Sequence, residues 1–271
     1  MKKGPLSYHH FKKIFKNQYK VILVLMLFAF LIEMIIAIIL STSVMRSYVE
    51  SYFSLMPPAF KQLTGFMGQN FVGSQFIAFG YGHPAILFIM IFASVSIASR
   101  YITAEIENRS IEILAIRLNP RYRIIITQYL FIIFMIFLIY LAMFMGSMSG
   151  KYLTSLSSEI DEILILKIMV VGLLFFSAIG AIVTFIATLF NEKSLSFSWN
   201  IGVILFLFVY DALIRLWDQA YFLKPYSLFN WYQPVGIATK NYDFEAGIPL
   251  LLFFILLFIG LAVNNFNKRD L

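Results

Sequence analysis

The chain has 271 residues, of which 61% are hydrophobic and only 13% charged, with a mean hydropathy of +0.84. A water-soluble domain carries about a quarter charged residues, so this composition excludes one and points to a polytopic membrane protein. The net charge of +7 does not call for a nucleic-acid partner, because the charges gather at the ends of apolar runs, and the absence of cysteine excludes disulfides, thiolate metal sites and cysteine nucleophiles.

Residues 1–20 form a basic lead-in. Phe11, Ile14, Phe15 and Tyr19 recur at helical spacing, with Lys12, Lys13, Lys16 and Lys20 on the other face. This pattern predicts an amphipathic helix lying on the cytoplasmic leaflet, although a plain positive flank to the first span accounts for the same lysines. The apolar run that follows has no small-residue cleavage pattern and reads as a retained first span.

Six apolar runs are long enough to cross the hydrocarbon as helices: Val21–Leu40, Gly82–Ile102, Ile124–Met145, Ile163–Phe190, Phe197–Trp217 and Ala246–Val263. None alternates as barrel strands do. The predicted fold is therefore all-α, a single transmembrane domain over residues 1–271. Of the 21 lysines and arginines, 14 fall on the side of the N-terminus if that terminus is cytoplasmic, leaving seven elsewhere. That bias predicts both termini inside.

Between the second and third runs lies a polar island, Arg100–Arg123, with eight of the 35 charged residues. On the opposite side, Ser41–Tyr81 is too apolar for a disordered loop and predicts short helices on the outer surface. Gly146–Glu162 reads as a short polar connection. Asp218–Glu245, with Tyr221, Phe222, Tyr226, Phe229, Trp231 and Tyr232, reads as an interfacial aromatic cap.

Three polar features sit within the spans. Glu33 costs a few kcal/mol near mid-bilayer and must face protein or water, as polar glue, as half of an ion pair or along a substrate path. Asp211 and Arg215 are four residues apart and can pair locally, or Arg215 can reach across to Glu33 as an outer gate. Gly180, Thr184 and Thr188, also at intervals of four, form a small-residue face for close helix packing, in this subunit or against another.

No Gly-x-x-x-x-Gly-Lys-Ser/Thr run is present, so the chain offers no loop to cradle ATP. Neither a His-Glu-x-x-His pair nor a Gly-x-Ser-x-Gly elbow occurs. No catalytic or metal-binding residues are assigned, and the chain is not expected to be an enzyme.

The island reads Glu105-Ile-Glu107-Asn-Arg109-Ser110-Ile-Glu112-Ile-Leu114, then Leu118-Asn-Pro120-Arg121. It resembles the first cytoplasmic loop of the type-2 permeases of ABC exporters, which read Glu-x-Glu-x-Gly-Thr-x-Glu-x-Leu and then Pro-x-Ser-Arg. Leu55-Met-Pro-Pro-Ala-Phe-Lys61 with Gly65, Leu223-Lys-Pro-Tyr226 with Tyr232-Gln-Pro234, and the ending Phe266-Asn-Lys-Arg-Asp-Leu271 are similar to other segments of that family, in the same order. The resemblance implies a half-transporter: two permease subunits, identical or related, over two separate ATPase subunits that bind ATP and Mg. It also implies a coupling helix in this loop, seated in the ATPase. Ile111, Leu114 and Leu118 supply an apolar stripe, with Glu105, Arg109 and Glu112 as docking charges. Arg109-Ser110 replaces the flexible Gly-Thr turn, so the helix is expected to run on unbroken.

The expected function is thus an exporter permease in the bacterial plasma membrane, handling an amphipathic or hydrophobic cargo such as a peptide, drug or lipid. Its partners are the ATPase, a second permease subunit and the bilayer. The competing reading is an ion-coupled carrier or channel using Glu33 and Asp211, which predicts inverted repeats or helices broken at midplane.

Overall fold

A computed structural model describes residues 6–57, 61, 73–112, 120–154 and 159–269, and among these the chain forms helices and connecting turns with no strand. Helix α1 spans Tyr8–Ser41, and its N-cap Ser7 accepts the His10 amide. It contains no proline or glycine, and its 34 residues extend for about 51 Å. The lead-in is therefore not a separate surface helix. Its apolar face is partly spent on protein: Phe11 meets the rings of Phe131 and Phe134 at 5.2 and 5.5 Å and Ile14 is fully buried, while Phe15 and Tyr19 stay exposed.

Helix α2 (Ser43–Leu55) is short and largely exposed. Helix α3 (Gly73–Gly82) is not, since Gly73, Ser74, Phe76, Ile77, Ala78, Gly80 and Tyr81 are buried. It belongs to the interior rather than to a surface segment. Helix α4 (Pro84–Ala98) restarts at His83, whose side chain caps it, with Pro84 in the first turn where its missing N–H costs nothing. A π-helical turn, Ser99–Thr103, and the short α5 (Ala104–Glu107) continue it, so the second span runs from Gly73 to Glu107 and starts earlier than Gly82.

The remaining long helices are α6 (Tyr122–Leu153), α7 (Glu162–Leu189, capped by Asp161) and α8 (Lys193–Leu216). Helical turns at Asp218–Tyr226 and Phe229–Trp231 and the short α9 (Pro234–Ala238) lead into α10 (Phe244–Lys268, capped by Asp243). Six segments are long and apolar enough to cross a bilayer: α1, α3–α5, α6, α7, α8 and α10. The chain has the build of a multi-pass membrane protein.

Helices α6 and α7 form the centre, with α1 along α6 and α10 along α7. The outward faces of α1, α8 and α10 carry exposed Leu23, Val24, Leu27, Leu205, Phe206, Val209, Phe253 and Leu256. Such faces need an apolar solvent. The α1–α6 seam is close because Gly146 faces the Phe30 carbonyl, leaving no room for a Cβ. The aromatic cap is partly core: Tyr232 stacks on Phe175 at 4.7 Å, while Tyr221, Phe222 and Tyr226 are exposed.

Candidate functional site

The polar island is where the helix ends converge. The π-helical turn brings buried Ser99 and Thr103 onto α7 and α8: Thr103 donates to the Ala187 carbonyl at 2.8 Å and lies 2.9 Å from Ser196 Oγ, and Ser99 lies 3.4 Å from the same hydroxyl. Tyr101 Oη in that turn accepts a hydrogen bond from Gln18 of α1 at 3.1 Å. π-Helical turns are uncommon and gather at functional sites.

The three acidic residues of the island divide into two groups. Glu105 pairs with Lys13 of α1 at 3.4 Å and accepts from the Ser110 hydroxyl. Glu107 accepts the backbone N–H of Lys193 at 2.9 Å. The N-cap residue of α8, Glu192, makes no side-chain cap bond, so Glu107 caps that helix from another element and places a negative charge at its positive end, worth about 0.3–1 kcal/mol. Glu112 and Arg109 are exposed and make no ion pair among the described residues. Of these carboxylates, Glu105 and Glu107 thus have partners in this chain, Glu107 while still exposed, and Glu112 has no ion-pair partner among the described residues.

The arginines that follow also bind helix ends. Arg121 donates to the Arg269 carbonyl at 2.9 Å, just past α10, and Arg123 donates to the Leu6 carbonyl at 3.0 Å. Arg269 in turn donates to the Thr188 carbonyl at 2.5 Å and the Phe190 carbonyl at 3.1 Å, satisfying the open C-terminus of α7. Asn265 reaches the Thr188 carbonyl at 2.9 Å. Through these contacts α1, α7, α8 and α10 are all tied to the segment joining α4 to α6.

The helix does not run on through Arg109-Ser110. It ends at Glu107, with Asn108 as C-cap, and Arg109 takes a left-handed φ of 55° before Ser110–Glu112 turn helical again. Ser110 Oγ closes the turn on the Glu105 carbonyl at 3.2 Å. Arg109 thus occupies the left-handed position that glycine usually fills after a helix. Ile111, the first member of the apolar stripe, is buried. Leu114 and Leu118 lie outside the described residues, and Pro120 is exposed just ahead of α6.

Within the spans, Arg215 bonds Asp211 at 2.6 Å and Ser227 donates to the other Asp211 oxygen at 2.5 Å. The pairing is local, and Arg215 does not pair with Glu33. Glu33 is fully buried, with Ser147 Oγ 3.3 Å from one oxygen and no partner for the other among the described residues. Gly80 has no room for a Cβ because the Glu33 carboxylate occupies that space. Beside it, Tyr140 donates to Tyr232 at 2.7 Å and Tyr232 donates to the Tyr81 carbonyl at 2.7 Å, joining α3, α6 and the cap. Glu33 is the polar centre of a packed knot between α1, α3 and α6. Gly180, Thr184 and Thr188 are buried as a packing face should be, and Gly180 meets Ile132 of α6 in this same chain, a Cβ there falling 3.0 Å from it.

Several of these partners carry little signal of their own. Lys13 and Arg269 look like flanking charges, and Tyr232 looks like one more cap aromatic. Ser99, Thr103, Ser196 and Asn200, polar residues at helical spacing near the ends of apolar runs, are the signal that could have marked the junction. Comparison with protein-family models, with characterised proteins and with solved structures finds no match to this chain.

Proposed function

We propose that the chain is the permease subunit of a type-2 ABC exporter, paired with a second permease subunit and driven by separate ATPase subunits that bind ATP and Mg. The observation that carries the reading is the convergence of helix ends on residues 100–123: Lys13, Lys193, Thr188, Phe190 and Arg269 are all held by, or bonded through, that segment. A push on such a hub is transmitted to α1, α7, α8 and α10 together, and packed helices respond by rigid-body tilt rather than local give. With both termini inside, the hub faces the cytoplasm of a bacterial cell, where an ATPase can reach it. The resemblance of Glu105–Arg121 to the coupling loop of that family supports the same role. The Phe-rich spans suit an amphipathic or hydrophobic cargo.

Co-expression with an ATP-binding-cassette ATPase tests this. The two should co-purify, and Arg109→Gln with Glu112→Gln should weaken association about tenfold, as expected for losing exposed docking charges, with the melting temperature unchanged. Failure to associate, or full coupling in that double variant, refutes the reading.

A further inference from the structure

Between the end of α8 and the start of α10, the aromatic cap encloses an open pocket of about 460 Å³, within the usual range for small-ligand sites. It lies apart from the polar island and from the Glu33 knot. Tyr221, Trp231 and Tyr242 contribute walls. The Trp231 indole N–H donates to the Pro225 carbonyl at 2.9 Å, and the Tyr242 hydroxyl donates to the Trp231 carbonyl at 3.0 Å. With those polar tips satisfied, the two residues offer an occupant apolar ring surface. Both also crowd Gly247 in the first turn of α10, with the Trp231 ring 3.1 Å from where a Cβ would sit. The walls are therefore held before anything binds.

Two opposite charges line the same pocket without meeting each other. Lys224 Nζ lies 3.1 Å from Tyr221 Oη and 4.9 Å from that ring's centroid, and has no carboxylate partner among the described residues. An ammonium carries three donors, so it has capacity left. Asp243 takes the Ala246 N–H at 3.0 Å on one oxygen, capping α10, and the other oxygen has no bonded partner among the described residues. Asp243 also marks a depth, since it directly precedes a 25-residue apolar helix, while Trp217 closes α8 with its ring exposed. That is the level where hydrocarbon gives way to headgroups and where tryptophan and tyrosine gather.

We propose that this pocket binds the headgroup of a zwitterionic phospholipid, its phosphate on Lys224 and its ammonium against Asp243 and the surrounding rings. Phosphate oxygens form charge-assisted bonds with an ammonium, and aromatic faces attract cationic heads. A purely anionic headgroup would bring its charge against Asp243. A neutral one would leave both charges unused. The inference rests on the multi-pass build of the chain and does not depend on the exporter reading.

The test uses the full chain in detergent with Trp199→Phe and Trp217→Phe, both exposed, so that Trp231 is the remaining one of three tryptophans. Trp231 fluorescence is followed while short-chain phosphatidylcholine, phosphatidylethanolamine or phosphatidylglycerol, or soluble phosphoethanolamine, is added below the micellar concentration. The two zwitterionic lipids should saturate the signal about tenfold or more tightly than phosphatidylglycerol, the scale of one charge-assisted bond. Lys224→Gln should weaken them by a similar factor. Asp243→Asn keeps the helix cap, because asparagine caps as well as aspartate, and should abolish the preference for zwitterionic over anionic lipid. Equal binding of all three lipids, or unchanged affinity in both variants, overturns the proposal. If phosphoethanolamine binds as tightly as the lipids, the occupant is a soluble zwitterion and the lipid assignment fails.

Discussion

The seam between α1 and α6 can be tested by placing one methyl group at two glycines. At Gly146 a Cβ would collide with the Phe30 carbonyl oxygen of α1 and sit 3.1 Å from the Glu33 Cβ, whereas at Gly260 in α10 no atom of the described residues lies within 4 Å. Glycine to alanine in a helix gains about 0.8–1 kcal/mol of intrinsic propensity at either site. Gly260→Ala meets no opposition and should keep that gain. Gly146→Ala must push two backbones apart, an overpacking cost of about 1–3 kcal/mol. The shift also carries Glu33 away from Ser147 Oγ, now at 3.3 Å, stripping a buried carboxylate of its hydrogen bond, a further loss of about 1–3 kcal/mol. The net expectation is a loss of about 1–5 kcal/mol at Gly146 and a gain of up to about 1 kcal/mol at Gly260. Thermal melts of the purified full chain in one detergent should place the two variants on opposite sides of the parent, by about 2–4 °C per kcal/mol. A Gly146→Ala protein that melts at or above the parent would show that α1 and α6 are not in backbone contact there.

The break in the island makes a second prediction. Arg109→Gly relieves a left-handed residue and should raise stability by about 1 kcal/mol, while Arg109→Val, β-branched at φ 55°, should lower it; if valine is tolerated as well as glycine in the same melts, the helix runs straight through. The third concerns α2, whose Arg46 holds Glu159 with a bidentate contact, 3.2 Å on one arm, and the bond from Arg46 keeps the Glu159 carboxyl below its ordinary value of 4.5. A carboxyl whose folded value is depressed adds stability above its unfolded value and loses it as pH falls through the folded one, so the contribution should fade below about pH 4.5. Because the Glu159 side chain is 35% exposed, the effect is discounted to about 1 kcal/mol or less. Arg46→Gln should flatten that part of the stability profile between pH 6 and pH 3, and an unaltered profile would remove the pair from any role.

The six spans are legible in the chain because sustained apolar runs leave few alternatives in lipid. Their ends are not, because a helix outlasts its hydrophobicity wherever polar residues find partners. The last run reads as Ala246–Val263, yet α10 continues to Lys268, with Asn265 bonded to the Thr188 carbonyl. The interior position of α3 is hidden for a related reason. Gly73, Gly80 and Gly82 look like turn residues, but Gly80 is small because the Glu33 carboxylate fills its space. That contact lies far along the chain and leaves no local pattern. The break at Arg109 is invisible because the residue most at ease with positive φ is absent from it.

The same distance effect decides how the polar island should be understood. A run of charges between two spans reads as one solvated surface offered to a partner, since sequence spacing shows what is charged and not what each charge faces. Glu105, Glu107 and Arg121 find their partners 92, 86 and 148 residues away, on α1, at the start of α8 and just past the end of α10. Each of those bonds joins a helix end to the island, so its removal loosens the bundle before it touches any partner. Arg109 and Glu112 are exposed and unpaired among the described residues. The island therefore holds two sets of charges: Glu105, Glu107 and Arg121 tie helix ends together, and Arg109 and Glu112 are left exposed without an ion-pair partner among the described residues. A variant that removes a charge of the first set should lower stability, whereas Arg109→Gln or Glu112→Gln, which leaves the left-handed backbone at Arg109 as it is, should not.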